Sequence, residues 1–156
     1  MGFDVYGNKK DSYFRNNVWY WKPLWTYVAE TCNLSDKELE AGLYNDGYAI
    51  SDIEANTISK TLFQELRANR TQSYNLAYKR RIENLPYVTC KFCSGTGTRN
   101  DDNVQGDCNV CNSERTRKAG IPIGKEKNWE TNYSFDVDNV KEFAQFCAES
   151  NGFKIC

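Results

Sequence analysis

Cys90-Lys91-Phe92-Cys93 and Cys108-Asn109-Val110-Cys111 are two CxxC pairs separated by residues 94–107. This spacing constrains the chain more than any other feature. Two thiolates three positions apart on a tight turn can grip one side of a metal ion, and a second such pair completes a tetrahedron. Four soft anionic sulfurs with no open position are the donor set of a structural zinc site. The expectation is one structural Zn2+ held by Cys90, Cys93, Cys108 and Cys111. Between the pairs lie Ser94-Gly95-Thr96-Gly97, Asn100-Asp101-Asp102-Asn103 and Gly106, a stretch too polar and glycine-rich to keep a shape without a staple.

Two other uses of CxxC fit less well. A thioredoxin-like redox pair follows a buried strand and opens a helix within a βαβ unit, whereas glycines follow Cys93 and no such unit surrounds it. Disulfides call for an oxidising compartment. The start Met1-Gly2-Phe3-Asp4-Val5-Tyr6 is polar rather than leader-like, and seven cysteines is an odd number. The expected setting is therefore cytoplasmic.

Histidine is absent, which removes His-based triads, His-ligated catalytic zinc and the usual neutral-pH acid–base group. Carboxylates are plentiful, but no pair can be assigned to one site, so the expectation is a protein that is not an enzyme. A net charge of −1 argues against general coating of nucleic acid, and no apolar run approaches the ~18 residues of a membrane span. Charge is nevertheless uneven. Residues 36–54 are acidic, and 66–81 carry Arg67, Arg70, Lys79, Arg80 and Arg81 with no acid among them. Lys91, Arg99, Arg115, Arg117 and Lys118 add to this in the cysteine module. Such a segment is either a polyanion-binding surface or a solvated helix face.

The periodicities predict a mainly α fold (α+β with short strands): a small helical domain with an inserted four-cysteine zinc knuckle. Its parts are an aromatic-rich strand and helical body over 1–86, the knuckle over 87–119, and a C-terminal segment and helix over 120–156 that packs back on the body. Phe3–Gly7 reads as a strand, and Tyr13–Trp21 as aromatic and irregular. A helix is expected from Lys22-Pro23, since proline suits a first turn. Ser35-x-x-Glu38 and Ser51-x-x-Glu54 are capping boxes; a further helix spans Gln72 to about Asn84. Trp129–Phe135 reads as extended, and the last helix follows a cap at Asp136 or Asp138, with a short extended tail after Gly152. Cys32 and Cys147 fall on apolar helix faces as small buried hydrophobes. Cys156 is a further thiol outside any prenylation box.

Trp19, Trp21 and Trp25 crowd one short segment beside Arg15, Asn16 and Asn17. They form either an aromatic core or a groove whose rings and guanidinium meet a peptide or a base.

Cys90-x-x-Cys93-x-Gly95-x-Gly97 resembles the repeat of the DnaJ-type chaperone cysteine-rich domain, over about ten residues. That family builds two zinc sites from four repeats. Here the second CxxC continues with Asn112-Ser113 instead of glycines, so the resemblance implies the local knuckle geometry and not chaperone activity. The whole chain is similar to a family of small bacteriophage and prophage proteins. The likeness rests on Gly2–Gly7, Phe14–Trp19, Trp21–Leu24, Asn45-Asp46-Gly47, Val140–Cys147 and Gly152–Cys156. It implies a virus-encoded protein acting in bacterial cytoplasm, in a setting where inhibitors and adaptors are common.

Together these expectations describe a zinc-stabilised binding protein that works by contact with another protein. A nucleic-acid-binding protein using the 67–81 helix and the zinc-module arginines is one alternative. A nucleotide-like small molecule enclosed by Arg15 and the tryptophans is the other.

Overall fold

In a computed structural model, which describes residues 2–156, the chain divides into two compact units. One comprises the chain up to Arg80 together with Asn132–Cys156; the other is Arg81–Thr131.

The first unit is a sheet with helices on one face. Strands β1 (Gly2–Gly7), β2 (Tyr13–Asn17), β3 (Tyr48–Ile50) and the last strand, β8 (Phe153–Ile155), form an antiparallel sheet in the order β2-β1-β8-β3. Side chains alternate across a strand. Opposed residues Phe14, Val5 and Ile155 are buried, as are Phe153 and Ile50, whereas Tyr13, Tyr6, Lys154 and Ala49 face outward. Helices α1 (Val18–Cys32), α2 (Asp36–Gly42), α3 (Asp52–Arg67) and α4 (Arg70–Glu83), with the final helix α6 (Val137–Glu149), supply the rest of the core. The fold is thus mixed α+β. "Mainly α" is too loose a description, because a sheet that joins both ends of the chain organises this unit.

Both capping boxes form: the Ser35 and Ser51 hydroxyls accept from the amides of Glu38 and Glu54, whose carboxylates reach back. The first helix begins earlier than its proline suggests. Asn17 caps it by accepting from the Trp19 amide at 2.7 Å, which places Pro23 inside the helix. Proline has no N–H for the carbonyl four residues back. That carbonyl, Trp19 O, instead accepts from Ser134 N–H at 2.9 Å, so the defect is repaired from outside the helix. Strands β2 and β3 escape the periodicity reading, and Trp129–Asn132 is a 3-10 turn rather than extended chain.

Trp21 and Trp25 lie fully buried, stacked at 5.7 Å, with Phe3 stacked on Trp21 and Phe143 edge-on to both. Their indole N–H groups donate to Gly42 O (2.8 Å) and Leu39 O (3.1 Å), as buried polar groups require. Gly42 matters for lack of a side chain: a Cβ there would run into the Trp25 ring. Ser59 Oγ donates to Ala144 O at 2.8 Å, tying α3 to α6. The Tyr27 and Thr71 hydroxyls bond at 2.9 Å, tying α1 to α4.

Candidate metal centre

The second unit has almost no apolar core. Its buried cluster is the four cysteines with Val110 packed against them. Short strands frame it: β4 (Val88–Thr89) pairs with β7 (Lys125–Glu126), and β5 (Thr98–Asn100) with β6 (Gln105–Asp107). Each CxxC follows a strand of one pairing (β4 or β6) and leads, through a glycine, into a strand of the other (β5 or β7).

The two halves repeat one hydrogen-bond pattern. Gly97 N–H donates to Cys93 Sγ (3.3 Å) while Gly97 O accepts from Cys108 N–H (2.9 Å). Gly124 N–H donates to Cys111 Sγ (3.3 Å) while Gly124 O accepts from Cys90 N–H (2.9 Å). The module is therefore built as a pseudo-twofold. Gly124 is the counterpart of Gly97, displaced along the chain by an insertion holding the short helix α5 (Glu114–Lys118). Both glycines lie in the left-handed region, at φ 79° and 81°, which side chains resist. Sequence spacing hid this role. The signal that could have revealed it is that Gly97 and Gly124 each stand immediately before a short β segment.

The four Sγ atoms all lie within 4.8 Å of one another, and Cys93 and Cys111 Sγ are 3.5 Å apart. A tetrahedron with metal–sulfur bonds of ~2.3 Å has sulfur edges of roughly 3.8 Å, so the donor set fits a metal ion. All four cysteines are buried. Burial opposes ionisation of Cys93, but amide donors Gly97 and Gly95 and the neighbouring thiols hold it down at about 6. Burial pushes Cys111 up to about 12 and raises Cys90. Cys93 is thus the sulfur most ready as a thiolate near neutral pH, and metal entry must displace protons from Cys90 and Cys111.

Around the site, Arg99 joins the two knuckle tips. Its guanidinium bonds Asp101 (2.7 Å) and Asn109 (2.9 Å) and lies 5.5 Å from the centre of the exposed Phe92 ring.

The remaining candidate residues are dispersed. Trp21 and Trp25 are 0% exposed, which corrects their assignment to a binding surface: they are core. Trp19, 42% exposed, lines a depression of about 550 Å³ with Gly2, Arg15, Asn16 and Asn17. Asn16 also reaches inward, donating to Asn139 Oδ1 at 2.8 Å. The basic segment 67–81 is not one helix. Arg67 ends α3, Asn69 breaks the chain at φ 57°, and α4 starts at Arg70. Acids beyond that segment answer two of its charges: Glu65 pairs with Arg70 and Glu130 with Arg81 (3.0 Å). Lys79 and Arg80 are exposed, as are Arg115 and Arg117 on α5. Arg67, Arg70, Lys79 and Arg80 belong to the first unit, and Arg81, Arg115 and Arg117 to the second. Cys147 is fully buried and Cys32 partly so; burial pushes the Cys32 thiol up to about 11.

No helix among the described residues is long and apolar enough to cross a membrane. Comparison with known proteins returns no family model, no curated protein and no solved structure that matches the chain.

Proposed function

We propose that this chain is a non-enzymatic binding protein stapled by one structural zinc ion, acting through contact with another protein as an adaptor or inhibitor. The buried four-sulfur cluster carries this reading. Four thiolates complete a zinc tetrahedron and leave no position for water or substrate. The likeness to bacteriophage and prophage proteins supports a viral origin and action in bacterial cytoplasm. Zinc suits the module energetically: binding on the order of 10–16 kcal/mol can hold a segment with almost no core.

The test is expression with a mild affinity tag, with metal content and co-purifying macromolecules analysed by mass spectrometry. One zinc per chain with a stoichiometric protein partner is the expected result. Nucleic acid alone, retained with an affinity that falls steeply as salt rises, would replace this reading with the polyanion one. A chain without metal would defeat the zinc assignment. Cys90→Ser is expected to release the metal and unfold the second unit while the helical unit keeps its own melting transition.

A further inference from the structure

The sheet of the first unit has an open edge at β2, and its backbone polarity follows from the ladder. Asp4 N–H donates to Cys156 O (2.9 Å) and Cys156 N–H to Asp4 O (2.8 Å), so both backbone groups of Asp4 turn toward β8. Opposed residues in an antiparallel pair alternate between bonded and non-bonded. Arg15, opposite Asp4, therefore points its own N–H and C=O away from β1. By the same parity Tyr13 does so too, in agreement with the bond from Gly7 N–H to Ser12 O. The strand contains no proline, and its register with β1 is unbroken over five pairs, so neither a proline nor a bulge blunts this edge.

Three further features sit at this edge. The Arg15 side chain is 68% exposed, and its Nε lies 3.6 Å from the Asp4 carboxylate, a solvent-screened pair worth little that leaves the guanidinium open to a second carboxylate. The nearby Asp4 carboxylate already accepts from the Tyr13 hydroxyl. Where β2 runs into α1, the depression lined by Arg15, Asn16, Asn17 and the exposed Trp19 offers space for a side chain.

We propose that the β2 edge accepts an extended segment of a partner protein as a fifth strand. A carboxylate on that segment faces Arg15, and a bulky apolar side chain enters the depression beside Trp19. This rests on the protein-contact reading and names its surface. Main-chain bonds supply affinity in such strand addition, and alternate side chains supply selectivity. Charge selects the occupant. With the two β2 strands centred on Phe14 or on Arg15, a second copy of this chain would set Arg15 diagonal or opposite to its own counterpart on the same face, which is unfavourable. An acidic strand meets it with the opposite sign.

The experiment selects a displayed library of random linear nine-residue peptides against the intact, metal-loaded protein. Binding is then compared for Arg15→Pro, Arg15→Glu and Arg15→Lys, with amide hydrogen exchange at Tyr13 and Arg15. Arg15→Pro removes an N–H that the β1 ladder does not use, and proline is tolerated on edge strands. Arg15→Glu tests the charge without touching the backbone donor. Selected peptides are expected to carry Asp or Glu within a β-branched or aromatic alternation and to slow exchange of the Arg15 amide. They should lose affinity by about tenfold or more in the Pro and Glu variants, with Lys largely retaining it.

Enrichment of no peptide over the Arg15→Pro bait would overturn the proposal. So would bound peptides that leave the Arg15 amide unprotected, or a self-dimer that protects it. A co-purifying protein whose binding tolerates Arg15→Pro would sink the edge alone and leave the protein-contact reading standing. Recovery of nucleic acid alone would sink both.

Discussion

Alanine at Gly124 should cripple the metal centre, whereas alanine at Gly120, four residues earlier, should not. Both glycines have positive φ, 81° and 72°, so each alanine carries a left-handed backbone cost of roughly 1–2 kcal/mol. Their surroundings differ. Nothing lies within 4 Å of a Cβ at Gly120, whereas one at Gly124 would overlap the Gly95 carbonyl oxygen and sit 2.9 Å from its carbon. Both of those atoms are backbone, so no side chain can swing aside. Relief requires the backbone at Gly124 itself to shift away from Gly95. That movement breaks the Gly124 bonds to Cys111 Sγ and from Cys90 N–H. At about 1 kcal/mol net for each bond, the variant loses about 2 kcal/mol beyond its control, or roughly 30-fold in metal affinity. The assay is competition for Zn2+ and Co2+ against a chromophoric chelator, with Gly120→Ala alongside. Equal affinities in the two variants would refute the assignment of Gly124 as the counterpart of Gly97, and with it the pseudo-twofold construction.

Three predictions concern the helical unit. Gly42→Ala drives a methyl into the Trp25 ring and should cost about 1–3 kcal/mol by overpacking, read by chemical denaturation with Trp fluorescence. Tyr27→Phe leaves the fully buried Thr71 hydroxyl without its partner and should cost about 1–2 kcal/mol; Tyr27→Phe combined with Thr71→Val should recover part of that loss. Hydrogen bonding and charge from Arg70 hold the Glu65 carboxyl below its ordinary value. The pair therefore stabilises the fold at pH above the unfolded-state value, and this contribution disappears as pH falls through the folded-state value. Glu65→Gln should lower stability at neutral pH and flatten the acid limb of the stability curve; an unchanged limb would show that the pair contributes nothing.

Local chemistry made part of this architecture readable along the chain. The two serine–glutamate boxes cap their helices because the interaction closes within four residues, and Asp136 caps α6 for the same reason. The CxxC pairs announced a metal-competent cluster because thiolate spacing is itself local geometry. Pro23 misled the start of α1 because the compensating donor, Ser134 N–H, lies far away in sequence. Strands β2 and β3 were missed because what makes them strands is pairing with β1 and β8, and β8 comes from the other end of the chain.

What the amino-acid sequence determined by itself was therefore the set of short-range devices: four cysteines at ligand spacing, capped helices, and a histidine-free composition that withholds the common acid–base chemistry. The tertiary structure decided which aromatic residues are core and which are surface. Trp21 and Trp25 disappear under α2 and α6 while Trp19, in the same crowded segment, stays at the surface. It also decided that Arg70 and Arg81 meet acids lying outside the acid-free stretch, and that Gly124 stands in for a missing knuckle glycine. The physical reason is common to all three. Burial, ion pairing and backbone approach depend on neighbours in space, and those neighbours are remote in sequence.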